Sequence, residues 1–253
     1  MRFAIALLLL LIPLAALGQT EPDYTVWNRL LAGYYDPARG MDYAGLKAKD
    51  AKTLQTLRQQ LGRVSVAALN PKQQLAYWIN VYNINTVATI VEHYPVESIR
   101  DISTDPIIRL NVFKKPRVPF GNQLLSLDDV EHKKIREVFR DARIHFAINC
   151  AAKSCPPIRA EAFTGAQLET QLDEQARRFL TTHVRLERDG GELTIHTTKI
   201  MDWFGDDFDQ WAGGRVAFLR RYLPADKQQL IAQAKEIDVE YDDYDWALND
   251  WKR

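Results

Sequence analysis

The segment NPKQQLAYWINVYNINTVATIVEHYP, residues 70–95, decides the fold of this chain. Asn70 and Pro71 indicate a helix start, because an asparagine side chain caps free amides and a proline needs no amide partner in the first turn. The predicted helix runs from Pro71 to Glu92 and ends before Pro95, since the residue before a proline disfavours helical backbone. Its length makes it the centre around which the other elements pack.

Three asparagines lie inside this apolar segment, at Asn80, Asn83 and Asn85. A buried amide is costly unless it is hydrogen-bonded. The sequence therefore predicts a buried polar network along the central helix.

Residue patterns outside this segment predict an α+β fold. Apolar residues at helical spacing, with end signals, predict further helices over residues 24–35, 46–61, 126–139, 166–180, 216–222 and 226–234. Strands are predicted over residues 144–148, within 107–120 as a hairpin or two short strands, and as a hairpin over 184–195. The expected architecture is a single helix-rich domain, residues 19–253, around a small and mostly antiparallel sheet.

The amino terminus has the pattern of a secretory signal peptide over residues 1–18. A basic Arg2 precedes an uncharged apolar run from Phe3 to Leu14, and small residues end at Gly18. The run is shorter than the twenty or so apolar residues that a membrane span needs, and no basic cluster follows it. We expect a periplasmic or secreted protein without a membrane span after cleavage.

Charge and cysteine content further limit the classes of function that the sequence supports. Lysine plus arginine and aspartate plus glutamate both number 33, so no net positive field favours nucleic acid, and no nucleic-acid partner is expected. The only cysteines are Cys150 and Cys155. A pair so close in sequence, in an exported protein, is either a disulfide or a reactive thiol with a neighbour.

Four strings occur in an order that resembles the domain of unknown function 547 family. They are YWINVYN at residues 77–83, SLDDVEH at 126–132, HFAINCAAKSCPPI at 145–158, and KIMDWF at 199–204 followed by DF at 207–208. The resemblance extends over about residues 46–246. It implies no established reaction, so the chemistry has to be argued from the residues.

The residue types favour cysteine chemistry as one hypothesis. A nucleophilic cysteine needs a base, a group that orients the base, and donors for the oxyanion. Cys150 is the predicted nucleophile, because Pro156 and Pro157 leave Cys155 without following amides. His132 is the preferred base because strand alternation places His145 on the face opposite Cys150.

Glu131, Asn80 or Asn83 would orient the imidazole. The hypothesis describes a hydrolase or acyl transferase, arranged like papain or transglutaminase by analogy only, that acts on an amide, a peptide or a thiol-containing small molecule. The oligomeric state is not predicted.

The alternative hypothesis is a non-catalytic binding or scaffold protein. Here Cys150 and Cys155 form a disulfide whose small loop contributes roughly 2 kcal/mol, and the histidines are structural. No cofactor or metal is predicted, because the spacings typical of zinc and calcium motifs are missing.

Two further groups of residues are predicted to be structural. Asp206, Asp207 and Asp209 are interpreted as a solvated turn, because they lack the spacing of a calcium loop. The aromatic residues nearby are expected mainly in the core, although they could line a cleft. They are Trp203, Phe204, Phe208 and Trp211.

Cleavage after Gly18 predicts a mature chain that begins at Gln19. Expression of the full sequence in a secreting host, followed by amino-terminal sequencing of the exported protein, checks this. Recovery of the protein with Met1 and the apolar run still attached would contradict the signal peptide.

Overall fold

The computed structural model describes residues 21–102 and 111–251. The predicted signal peptide and part of the predicted 107–120 hairpin lie outside the described residues. None of the helices in the described ranges combines the length and apolar composition that a membrane span requires.

The predicted central helix is confirmed as α3, Pro71–His93. Its start carries a reciprocal cap, in which the Gln73 amide donates to the Asn70 side chain and the Asn70 amide donates to the Gln73 side chain, both at 3.0 Å. Every residue from Leu75 to Val91 is buried. A helix that is buried on all sides has to be enclosed by other elements, and these form two hydrophobic clusters.

The first hydrophobic cluster surrounds α3. It includes α1, Thr25–Tyr34, and α2, Tyr43–Leu61, which lies alongside α3. Leu54, Leu57 and Leu61 lie on the buried side of α2, as their spacing predicts.

The second hydrophobic cluster is built by later helices. α5, Leu168–His183, packs against α8, Arg215–Tyr222, and Phe146 and Phe218 stack within the cluster. The shorter helices on this side are α6, Ile200–Trp203, α7, Gly205–Ala212, and α9, Ala225–Gln233. The predicted helices over 166–180, 216–222 and 226–234 are confirmed with small shifts at their ends.

Within residues 21–102 and 111–251, the strands form three small sheets instead of the single predicted sheet. The two-stranded sheets pair β1, Tyr35–Asp36, with β2, Gly40–Met41, and β3, Val118–Phe120, with β4, Gln123–Leu125. The third contains β5, Arg185–Asp189, β6, Glu192–Thr197, and β7, Glu236–Tyr241. Among the strand pairs of the described residues, β6–β7 is parallel and the others are antiparallel, so the helix-rich α+β fold with mostly antiparallel pairing is confirmed.

The predicted strand over 144–148 is wrong. Ala142–Phe146 form a 3-10 helix, in which the Asp141 carbonyl accepts from the Ile144 amide at 3.2 Å. All residues from Ala142 to Asn149 are buried. Alternating apolar and polar residues indicate a strand when one face is buried and the other is solvated. Here both sets of residues are buried, so the alternation does not indicate a strand.

In the described part of 107–120, one short strand is present as predicted, Val118–Phe120, but the first predicted strand is absent. Val112–Lys114 form a 3-10 turn, and the hairpin lies later, where β3 pairs with β4.

The predicted helix that starts after Ser126 is present but is mostly a π-helix, Asp129–Arg136, followed by one α-helical turn, α4, Glu137–Phe139. The Ser126 hydroxyl accepts from the Asp129 amide at 2.9 Å, and the Asp129 carboxylate accepts from the Ser126 amide at 3.0 Å. Wider π-helical turns are frequent at functional sites.

The predicted polar network is confirmed. Asn80 pairs with the backbone of Phe163, donating to its carbonyl at 2.7 Å and accepting from its amide at 2.9 Å. Asn83 donates to the Ala147 carbonyl at 2.9 Å and accepts from the Asn149 amide at 2.8 Å. The central helix thereby holds two irregular segments that no sheet supports.

We expect Asn83→Ala to lower the free energy of unfolding by about 2–5 kcal/mol, because it leaves one buried carbonyl and one buried amide unpaired. Urea unfolding followed by circular dichroism measures the loss. Lys72→Ala, at an exposed position of the same helix, is the control and should change stability by less than about 0.5 kcal/mol. Equal small effects from both changes would contradict the structural role of the asparagine.

Candidate functional site

A pocket of about 220 Å³ lies where residues of both hydrophobic clusters meet. We call it the disulfide pocket and define it by Glu131, His132, His145, Cys150, Cys155 and Tyr244. It therefore brings together four of the five predicted catalytic residues. The fifth, Asn80, lies elsewhere, buried against Phe163.

The two cysteines are joined by a disulfide with Cα atoms 6.2 Å apart. Neither is a free thiol. The Tyr244 hydroxyl lies 3.1 Å from Cys150 Sγ and 3.0 Å from Cys155 Sγ. The Cys150 amide donates to Cys155 Sγ at 2.9 Å. In this state Cys150 does not carry the thiol that a nucleophile needs.

The loop that carries the disulfide is held by Asn149. Its side chain accepts from the Ala151 amide at 2.8 Å and donates to the Pro156 carbonyl at 2.7 Å. Ala151 has a left-handed backbone, with φ of 63°, which lets the chain turn sharply after Cys150. Since Asn149 is itself bonded to Asn83, the sulfurs are fixed relative to α3.

His145 lies beneath the pocket with a side chain that is only 1% exposed. Its Nε2 is 2.7 Å from Asp207 Oδ2, and its ring stacks on Phe204 with centroids 4.0 Å apart. Burial lowers the pKa of His145, although Asp207 opposes that shift. In its neutral form, which burial favours, the ring donates its Nε2 proton to Asp207 and leaves Nδ1 unprotonated.

His132 and His145 are linked by a row of charged groups. Arg136 Nη1 donates to His132 Nδ1 at 2.7 Å, and the same guanidinium holds Asp207 in two bonds of 2.8 and 3.0 Å. Burial would raise the pKa of Asp207, but His145 and Arg136 hold it well below its ordinary value. Asp128 lies 3.6 Å from His132 Nε2 at the other end of the row.

The interpretation of Asp207 as part of a solvated turn is wrong. Its carboxylate is half-buried and pairs with Arg136, a residue 71 positions earlier in the chain. Asp209 binds Arg215 instead, and Asp206 is exposed.

No imidazole nitrogen hydrogen-bonds to Cys150 in the described part of the chain, where the partner of its sulfur is the Tyr244 hydroxyl. His132 was the predicted base, yet its Nδ1 contacts Arg136. The geometry therefore brings the predicted residues to one pocket without assembling a cysteine–histidine pair. Within the described ranges no group of three or more His, Cys, Asp or Glu is arranged to hold a metal ion.

Glu131 faces the pocket from the π-helix. The Tyr82 hydroxyl donates to its Oε2 at 3.2 Å, so its partner is not the histidine that it was predicted to orient. Burial raises the pKa of Glu131, although the charges of His132 and Arg136 partly oppose the shift. A carboxyl that keeps its proton above the ordinary range can donate a hydrogen bond to a ligand.

Aromatic rings form the apolar side of the pocket. Tyr244 lies 4.8 Å from both Trp203 and Trp246, measured between ring centroids. Trp203 is 46% exposed, so it lines the cleft instead of lying in the core. Phe208 and Trp211 do pack in the second cluster, against Phe218.

Sequence reasoning missed three residues of this site. Tyr244 lies in an acidic and aromatic carboxy-terminal segment without a motif, and Tyr82 lies inside the predicted central helix without a signal of its own. Arg136 had one available signal, because it lies one helical turn after His132.

We expect Glu131→Gln to stabilise the protein at pH 7. A carboxyl with a raised pKa contributes stability that is present below its unfolded pKa and is lost as the pH rises through its folded pKa. Glutamine removes this loss, and its side-chain oxygen can still accept the hydrogen bond from the Tyr82 hydroxyl. Thermal unfolding should show a higher Tm for the variant at pH 7, with the gap closing towards pH 4.

The exposed Glu137→Gln is the matched control and should show no such pH-dependent gap. A variant at Glu131 that is less stable than the parent at pH 7 would show that the carboxylate is needed in charged form.

No curated protein and no solved structure shows significant similarity to this chain. A family model, described as protein of unknown function, DUF547, matches residues 66–180. This range contains α3, the π-helix, the disulfide loop and most of α5, and with them three of the four strings on which the resemblance rests. The match over residues 66–180 supports the resemblance of this chain to the DUF547 family of unknown function.

Proposed function

We propose that this protein is exported and that it binds a small amide-containing or thiol-containing molecule in the disulfide pocket. The observation that carries the proposal is the mixed lining of the pocket. Aromatic rings line it together with the Glu131 carboxyl, which hydrogen-bonds only to Tyr82 among the described residues. Ligand pockets commonly combine apolar walls with a few polar groups that fix the ligand's orientation.

The polar side suits an amide. In its protonated form, which burial favours, Glu131 offers one donor and one acceptor, which match the carbonyl and N–H of a single amide group. The aromatic side, with Trp203 and Trp246, suits the apolar or sulfur-containing part of the same molecule. The volume of about 220 Å³ restricts the ligand to a small molecule or the end of a peptide.

A second function is a cysteine-dependent hydrolase or acyl transferase that works only after reduction of the disulfide. The observation that favours it is the presence of Cys150, both histidines and Glu131 on one pocket. It requires that reduction moves Cys150 towards an imidazole, because its sulfur now contacts the Tyr244 hydroxyl. His145 Nε2 bonds to Asp207, and His132 Nδ1 bonds to Arg136.

The test uses N-acetyl-S-methylcysteine methylamide, which carries two amides and a sulfur but cannot exchange with a disulfide. Calorimetry should show saturable binding to the oxidised protein. Trp203→Ala should weaken that binding roughly 2–10-fold, the range expected from an aromatic contact of about 0.5–1.5 kcal/mol. The control is Val138→Ala, an exposed apolar residue outside the pocket, which should bind as the parent does.

Binding that is absent, or that is equal in Trp203→Ala and the parent, would contradict the proposal. Release of methylamine by the reduced protein, without release by the oxidised protein, would favour the hydrolase instead.

A further inference from the structure

The two sulfurs of the disulfide have different surroundings. Cys155 is 7% exposed, and its sulfur accepts from the Cys150 amide at 2.9 Å. Cys150 is half-buried and borders the pocket, and its sulfur has only the shared Tyr244 hydroxyl as a partner. The buried sulfur therefore has two donors, while the other sulfur is more accessible.

This asymmetry has a chemical consequence. Thiol–disulfide exchange proceeds when a thiolate attacks one sulfur and the other leaves as a thiolate. Hydrogen bonds to a developing negative charge are stronger than those to a neutral sulfur, and they stabilise the leaving group. The donors at Cys155 favour it as the leaving sulfur, and the exposure of Cys150 favours it as the attacked one.

We propose that the Cys150–Cys155 disulfide exchanges with a small thiol bound in the pocket, with attack directed to Cys150. This inference rests on the proposed binding of a small molecule at the same pocket. The thiol loses its proton to solvent, and its sulfur forms a bond to Cys150 Sγ as the bond between Cys150 and Cys155 breaks. The electron pair of that bond goes to Cys155 Sγ, so the products are a mixed disulfide at Cys150 and a thiolate at Cys155.

A second thiol of the same class completes the reaction. Its thiolate attacks the sulfur of the bound molecule and releases the small-molecule disulfide, with Cys150 as the leaving thiolate. One protein disulfide and two small thiols thus give one protein dithiol and one small disulfide, so no other oxidant or reductant is needed. Without a second thiol, the Cys155 thiolate attacks Cys150 Sγ again and expels the first.

Tyr244 is placed to assist this reaction directly, because its hydroxyl lies within hydrogen-bond distance of both reacting sulfurs. Burial, with a smaller effect from Glu131, raises the pKa of Tyr244, so its hydroxyl keeps the proton that it donates. The two prolines that follow Cys155 supply no amide, so the donors to its sulfur come from the Cys150 backbone and from the carboxy-terminal segment.

The first experiment determines which sulfur is attacked. The oxidised full-length mature protein is incubated with N-acetylcysteine methylamide, quenched with acid, and mapped by peptide mass spectrometry. The expected adduct lies on Cys150 at least tenfold more often than on Cys155. In denaturant the two cysteines should carry the adduct about equally often, because both sulfurs are then equally exposed to solvent. An adduct mainly on Cys155, or a disulfide that reacts only after unfolding, would overturn the inference.

The second experiment tests the donor. Tyr244→Phe should slow formation of the adduct roughly tenfold in the native state, because the leaving thiolate loses one of its two donors. Its rate in denaturant should equal that of the parent. Tyr241→Phe makes the same chemical change at a hydroxyl that bonds to Arg215, and its native rate should stay within twofold of the parent rate. A parental native rate in Tyr244→Phe would contradict the role of the hydroxyl.

The S-methyl analogue separates this inference from the proposed function. Binding of the analogue together with unselective or absent exchange would overturn the exchange proposal alone. Selective exchange without any binding of the analogue would overturn the binding proposal and leave the direction of attack at Cys150 standing without a bound thiol.

Discussion

The pairing of Asn83 with the backbone of Ala147 and Asn149 is the constraint on which the site depends. A primary amide presents a donor and an acceptor side by side, as a backbone strand does, so it can satisfy a buried irregular segment where no sheet is available. Asn80 does the same for Phe163. Because these partners sit on one rigid helix, the disulfide loop is irregular in shape and yet fixed in position. A hydrophobic residue at Asn83 would leave that loop without its main anchor.

The charged row explains why a pocket that contains two histidines does not contain a cysteine–histidine pair. Arg136 binds the Asp207 carboxylate in two places and also contacts His132, while Asp207 holds His145. Each of these groups contacts an opposite charge or a hydrogen-bond partner where it is shielded from water. Removing one partner would leave a buried polar or charged group unpaired and would lower the free energy of unfolding. The histidines are therefore bound to this row, and the polar chemistry that the pocket offers to a ligand falls mainly to Glu131.

The parts of the structure that could be predicted are those that local sequence determines. α3 and its cap follow from Asn70 and Pro71, and the asparagine network follows from the cost of burying amides. The strand predicted over residues 144–148 failed because a fully buried 3-10 turn can carry the same alternation of residue types. The sequence predicted several of the residues that form the site, but it did not predict the hydrogen-bond partners of those residues. The contact between Arg136 and Asp207 joins residues 71 positions apart in the sequence, and a local sequence pattern cannot predict a contact over that separation.

The direction of the disulfide chemistry follows from the loop itself more than from any single side chain. Asn149 and the left-handed Ala151 turn the chain so that the Cys150 amide points at Cys155 Sγ. The carboxy-terminal segment is then held across this loop, as the Asn249 amide donates to the Ala151 carbonyl at 3.0 Å, and this places Tyr244 beside both sulfurs. A backbone donor cannot be removed by substitution without rebuilding the turn. The asymmetry between the two sulfurs is for that reason a property of the fold, and Tyr244 strengthens it without creating it.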